Sequence, residues 1–174
     1  AMAFGTEAII WACYTAGWWH NQVLDDKGEK TQQYDKLQAV NAELHTLGET
    51  YMKYRRVSTH FIGFSGEENL CDGNLTPVAS LSTGVFNDLR AENGENLLAG
   101  QMVSRAGDGS YAIMLCGADD PHDHNPAVYT VSFRADNRAV FALAGDGPRP
   151  LTRRDDGSWA FTMRSCEGVL LIAR

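Results

Sequence analysis

The sequence predicts a mainly β protein: a β-sandwich of about eight short antiparallel strands, preceded by one strand and one long amphipathic helix. Three observations predict it. From residue 57 onward the apolar side chains fall in short runs of period near two, separated by glycine- and aspartate-rich pieces such as AGDGS, RADN and RDDGS. Between Tyr34 and Tyr54 they recur instead at spacings of three and four, the period of a helix. Ahead of both, EAIIWACY at residues 7–14 is a continuous apolar run, as in a strand buried on both faces of a parallel sheet.

The elements follow in order. After the strand, TAGWWHNQVLDDKGEK at residues 15–30 reads as a loop, in which Asp26-Lys27-Gly28 forms a turn because glycine takes positive φ without strain. Thr31 is the expected helix N-cap, its hydroxyl accepting from an amide of the first turn. The stripe Tyr34, Leu37, Val40, Leu44, Leu47, Tyr51 and Tyr54 needs a surface to lie against, while Asp35, Lys36, Gln38, Glu43 and His45 face away from it. A strand, a loop and a one-sided helix make one β/α unit, which is completed only beside parallel neighbours. The change of period sets a domain boundary, with the β/α unit at residues 1–54 and the sandwich at residues 55–174. The expected sandwich strands are VSTHFIGF (57–64), ASLSTGVF (79–86), NLLAGQMVSR (96–105), SYAIMLCGA (110–118), AVYTVSFRA (127–135), AVFALAG (139–145), WAFTMRS (159–165) and GVLLIAR (168–174).

Bulk properties exclude several classes. A net charge of −7, with cations clustered only at Lys53–Arg56 and Arg149–Arg154, gives no basic stripe that could follow a phosphate backbone, so no nucleic-acid partner is expected. The longest nearly apolar stretch, Ala8–Trp19, is far short of the roughly 20 residues that cross a bilayer, and no membrane partner is expected. It also lacks the basic start and cleavage pattern of a signal peptide. Cys13, Cys71, Cys116 and Cys166 stand far apart without a C-x-x-C pair, and read as buried thiols that leave the compartment open. No G-x-S-x-G, G-x-G-x-x-G or P-loop occurs, and FSGEE lacks the first glycine of a nucleophile elbow. DDPHDHNP at residues 119–126 carries His122 and His124 between prolines and reads as a hairpin loop; Asp72-Gly73-Asn74 lacks the other ligands of a calcium loop and reads as a turn. No cofactor and no metal site are expected.

The turn and helix residues carry a resemblance. Asp25 or Asp26, Gly28 and Thr31 fit D-x-x-G-x-x-T; Tyr34, Leu37, Val40, Asn41, Glu43 and Leu44 fit Y-x-x-L/V-x-x-V-N-x-E-L. Together with the preceding strand this resembles the last strand and helix of the TIM barrel in glycoside hydrolases of the clan that contains the family 42 β-galactosidases. The later segments NLLAGQMV and CEGVLLIAR likewise resemble the opening and closing strands of the small β-sandwich that follows such barrels.

The resemblance implies that the chain is the carboxyl-terminal portion of a TIM-barrel glycoside hydrolase, with a reading frame that continues upstream. It implies hydrolysis of O-glycosidic bonds by the parent, and no catalytic residue within this chain. Retaining glycosidases use two carboxylates about 5 Å apart; the family's pair lies on the fourth and seventh strands, before this chain's first strand. Glu7, at that strand's amino end and without a partner acid, reads as structural. An aromatic at or after the last strand would floor the subsite for the cleaved sugar. Trp11, Trp18 and Trp19 are therefore expected as carbohydrate contacts, with His20 and Asn21 as polar neighbours. A lone strand also leaves its amides unpaired, so self-association, or docking to the rest of a barrel through the amino-terminal strand, is expected. The alternative is a stand-alone sandwich module that binds carbohydrate or another protein.

Overall fold

The computed structural model describes residues 1–12, 14–15, 17–64, 77–118, 127–136 and 138–174. The protein is mainly β, with two antiparallel sheets and, among the described residues, one α-helix. After a short 3₁₀ turn at Met2–Phe4 the elements are α1 (Gln32–Tyr51), β1 (Tyr54–Ile62), β2 (Phe86–Ala91), β3 (Leu97–Ser104), β4 (Tyr111–Gly117), β5 (Val128–Ala135), β6 (Val140–Ala144), β7 (Gly147–Pro148), β8 (Thr152–Arg153), β9 (Trp159–Arg164) and β10 (Gly168–Ala173). One sheet has the order β1-β3-β4-β10-β6-β7 and the other β2-β5-β9-β8.

The sheets face each other across one apolar core. Ile113 and Leu115 of β4, with Val169 and Leu171 of β10, meet Phe86, Val131, Phe133 and Phe161 of the smaller sheet. A second buried cluster covers the outer face of the six-stranded sheet. There Leu47 and Tyr51 of α1, with Ala3, lie on Met102, Ala112, Met114, Leu170 and Ile172. This explains a detail of the sequence: YAIMLCG and GVLLIA are apolar without alternation because β4 and β10 are central strands covered on both faces. Residues on either side of the boundary expected at 54/55 therefore share one cluster.

Seven of the expected strands stand where their apolar runs lie. The eighth, at residues 79–86, is corrected. Leu81 forms only an isolated bridge with Leu89, and Thr83 closes a tight turn by donating its amide to the Phe86 carbonyl at 2.8 Å. The strand begins at Phe86 instead. Its polar sequence FNDLRA is masked by a bulge between Asn87 and Arg90, with Asp88 at φ 53°, which breaks the alternation that reveals a strand.

The strand expected at residues 7–14 is also corrected. Residues 6–12 carry no strand assignment, and Ile10 is 92 % exposed. The physical reason is pairing: a strand meant for a parallel sheet needs a hydrogen-bonding neighbour along its edge, and neither sheet offers one to this segment. Cys166 departs from expectation as well: it is exposed on the β9–β10 turn with φ 60°, and Cys116 is half-buried. Cys13, Cys71, the Asp72-Gly73-Asn74 turn, most of FSGEE and the DDPHDHNP loop lie outside the described residues.

Candidate functional site

The loop before α1 is built by three residues. Asp25 Oδ1 accepts the amides of Lys27 at 2.9 Å and Glu29 at 2.8 Å, and Gly28 takes φ 80° in the turn between them. Thr31 caps the helix by accepting the Gln33 amide at 3.1 Å, while its hydroxyl donates back to the Gln22 carbonyl at 2.7 Å. The acid of the D-x-x-G-x-x-T pattern is thus Asp25, not Asp26, because only Asp25 stands where one carboxylate can cap both amides. Asp26 instead accepts from Gln22 Nε2 at 3.2 Å.

The amino-terminal segment runs antiparallel to α1. Tyr51, in the last turn of the helix, donates its hydroxyl to the Met2 carbonyl at 2.8 Å. Ile9 and Glu7 line a 210 Å³ cleft with Leu44 and Gly48, one to two turns earlier along the helix. Trp11 Nε1 donates to Asn41 Oδ1 at 3.1 Å, and Trp11 and Ala12 meet Leu37 and Val40 around a second cleft of 260 Å³. Chain and helix therefore lie side by side in opposite directions, joined by the capped loop.

Of the residues expected at a sugar site, the structure brings Trp11 and Asn21 to this second cleft, where Gln33 and Lys36 add polar groups. Trp18 and Trp19 are exposed and stacked edge to face, centroids 6.0 Å apart, but they do not line it, and neither does His20, which is exposed. A wall of indole with amides and an ammonium at its rim can cover the C–H face of a sugar while bonding its hydroxyls. Sequence reasoning gave Asn41 no role. The signal was its place on the stripe, four residues after Leu37 and three before Leu44, where a polar residue among apolar ones marks a specific partner.

Glu7 pairs with Arg105, whose Nε also donates to the Tyr54 carbonyl at 2.9 Å. The acid thus ties the segment to the end of β3. Elsewhere, Ser58 Oγ lies 2.8 Å from His60 Nε2 and donates its proton to Gln101 Oε1 at 3.1 Å. With that proton directed to Gln101, Ser58 accepts from His60 Nε2 in the tautomer that carries its proton there. Burial pushes the His60 pKa below its usual 6.5, against a smaller opposing effect of the Gln101 hydrogen bond. The neutral ring is the form the fold favours. Its contribution to stability is intact above pH 6.5 and is lost as pH falls from there through the lowered pKa of the folded state. Urea midpoints measured across that interval are expected to fall less steeply for His60→Gln than for the parent chain. Equal slopes would contradict the assignment.

Among the described residues, no three His, Cys, Asp or Glu side chains are gathered closely enough to hold a metal ion. No protein-family model matches the chain, and neither a curated protein nor a solved structure does.

Proposed function

We propose that residues 1–54 are the closing β/α unit of a retaining (β/α)8 glycoside hydrolase of the clan that contains the family 42 β-galactosidases, and that residues 55–174 are its carboxyl-terminal sandwich. One observation carries this reading. An apolar segment and a helix lie antiparallel, joined by a loop whose three fixed residues each have a structural task, while Ile9, Ile10 and Trp11 are exposed and, among the described residues, the amides of residues 6–12 meet no acceptor. A β/α unit placed beside parallel neighbours would hide that surface; Ile10 at 92 % exposure and Val40 at 42 % mark where they would sit.

In this reading the chain supplies sugar contacts and no catalytic pair. Trp11, Trp18, Trp19, His20 and Asn21 lie at or beyond the carboxyl end of the segment, the end at which barrel enzymes hold substrate. Glu7 lies toward its opposite end and is committed to Arg105. The two carboxylates that form and hydrolyse the glycosyl-enzyme intermediate belong to other strands of the parent enzyme.

The gene tests the proposal. The reading frame upstream of the Ala1 codon is expected to encode further β/α units, with a glutamate at the carboxyl end of two strands; upstream sequence without such units contradicts it. Calorimetric titration of the chain with lactose is expected to give no heat, because the subsite is completed by other strands. Micromolar binding by the chain alone would favour a stand-alone carbohydrate-binding module instead.

A further inference from the structure

The amino-terminal segment is held in two unlike ways along its length. Residues 2–7 are fastened to the outer face of the six-stranded sheet. Ala3 is buried, and its carbonyl accepts the Thr59 hydroxyl at 3.0 Å. The Met2 carbonyl accepts the Tyr51 hydroxyl, and Glu7 pairs with Arg105. The short 3₁₀ turn ends on Gly5 at φ 84°, packed so closely on Arg56 that an added Cβ would lie 2.8 Å from the Arg56 Cβ. Beneath all of this sits Gly100 of β3, where a Cβ would stand 2.3 Å from the Ala3 oxygen. The backbone of Gly100 is in ordinary strand conformation, so the absence of a side chain is required by the segment lying on it. Beyond Glu7, by contrast, the side-chain hydrogen bond the segment makes among the described residues is to α1, from Trp11 to Asn41.

The helix is divided in the same way. Its buried residues are Leu47 and Tyr51, and a Cβ on Gly145, in the β6–β7 turn, would meet Glu43. From Gln32 to Ala42 the helix projects from the sandwich, a length of about 16 Å at 1.5 Å per residue. The foot of the segment-and-helix pair is therefore seated on the sheet, and its head, bearing Trp11, Asn21 and the capped loop, is held away from it.

We infer that the outer face of the six-stranded sheet is an interdomain seat that grips the foot of the β/α unit, with Gly100 as the residue that admits it. The sandwich then fixes the amino-terminal segment and helix that present the aromatic loop. Only the identity of the body above the seat rests on the proposed function; the grip itself is a property of this chain, so a failed gene test and a failed grip are separate results.

The experiment is hydrogen exchange and indole NMR on the full chain, comparing it with Gly100→Val and Thr59→Val. Valine suits a strand, so β3 keeps its pairing while the seat is blocked. In Gly100→Val the Phe4 and Gly5 amides are expected to exchange at least about tenfold faster. The Trp11 indole N–H is expected to shift as its bond to Asn41 loosens, and the β4 and β10 amides to keep their protection. Thr59→Val, nearly isosteric, removes one hydrogen bond and is expected to move the same signals in the same direction by less. It supplies the reading if Gly100→Val does not fold. Unchanged exchange at Phe4 and Gly5 with an unmoved Trp11 signal in the folded variants would overturn the inference.

Discussion

Phe133→Ala is expected to cost about 4 kcal/mol, the range for removing a fully buried aromatic ring. Phe133 is 1 % exposed in the middle of the inter-sheet core, with its ring edge to face against Phe86 at 5.7 Å and Phe161 at 6.4 Å. Those contacts join all the long strands of the smaller sheet, since Phe86 is on β2, Phe133 on β5 and Phe161 on β9. Alanine would leave a cavity that three strands cannot close without breaking their ladders. With domain stabilities of about 5–15 kcal/mol, a loss of this size consumes much of the total. Urea denaturation is expected to show a lower midpoint with an unchanged slope. Because the second cluster ties α1 to the other face of β4 and β10, helix signal and sheet signal are expected to disappear together. An unfolding free energy within about 1 kcal/mol of the parent chain would mean the two sheets do not depend on this ring.

Glu167→Ala carries the next largest expected effect. The Glu167 carboxylate pairs with Arg149, and both side chains are mostly buried, at 13 % and 18 % exposure. Its other oxygen accepts the Arg164 amide at 2.7 Å, closing the β9–β10 turn. Without it, Arg149 keeps, among the described acids, the exposed Asp146, 3.0 Å away, and remains a largely buried charge with poor compensation. The expected loss is about 3 kcal/mol, the lower end for breaking a buried pair. Glu167→Gln keeps an acceptor for Arg164 and is expected to lose less. Equal stabilities for the two variants would show that the bond to the Arg164 amide contributes nothing and that the loss comes from the missing charge alone.

These two cases mark what the sequence made legible and what it did not. Strands β3, β4, β5, β9 and β10 were legible because each is a run of apolar residues broken by glycine-rich turns, and the physics that ends a run also ends the strand. The helix start was legible at Thr31, since capping is local chemistry. The β2 strand was not, because a bulge spoils its alternation. Neither was the fate of residues 7–12: composition reports what a segment would bury, but pairing depends on neighbours, and no strand among the described residues runs beside it.

The site was legible in part. Trp11 and Asn21 were named from the sequence and share a cleft, whereas Trp18, Trp19 and His20 stand apart from it. The partner that orients the Trp11 indole, Asn41, is thirty residues away in sequence and adjacent only once the segment has folded back along the helix. Gly100 was visible as a letter in a strand pattern, but its reason, the Ala3 carbonyl resting on it, is a tertiary fact. The E-G pair of the last strand has a comparable explanation: Glu167 holds Arg149, and a Cβ on Gly168 would stand 2.9 Å from the Met114 methyl carbon.

The central claim is that the amino-terminal segment and α1 are seated on the sheet at their foot and that the segment is unpaired above it, and residue-resolved hydrogen exchange of the full chain tests that most directly. The account predicts slow exchange at Gly5 and in the last turn of α1, and exchange near the open-chain rate at residues 8–12. Protection of residues 8–12 as strong as that of β4 and β10 would mean the segment has found its strand partners within the chain or in a second copy, and would contradict it.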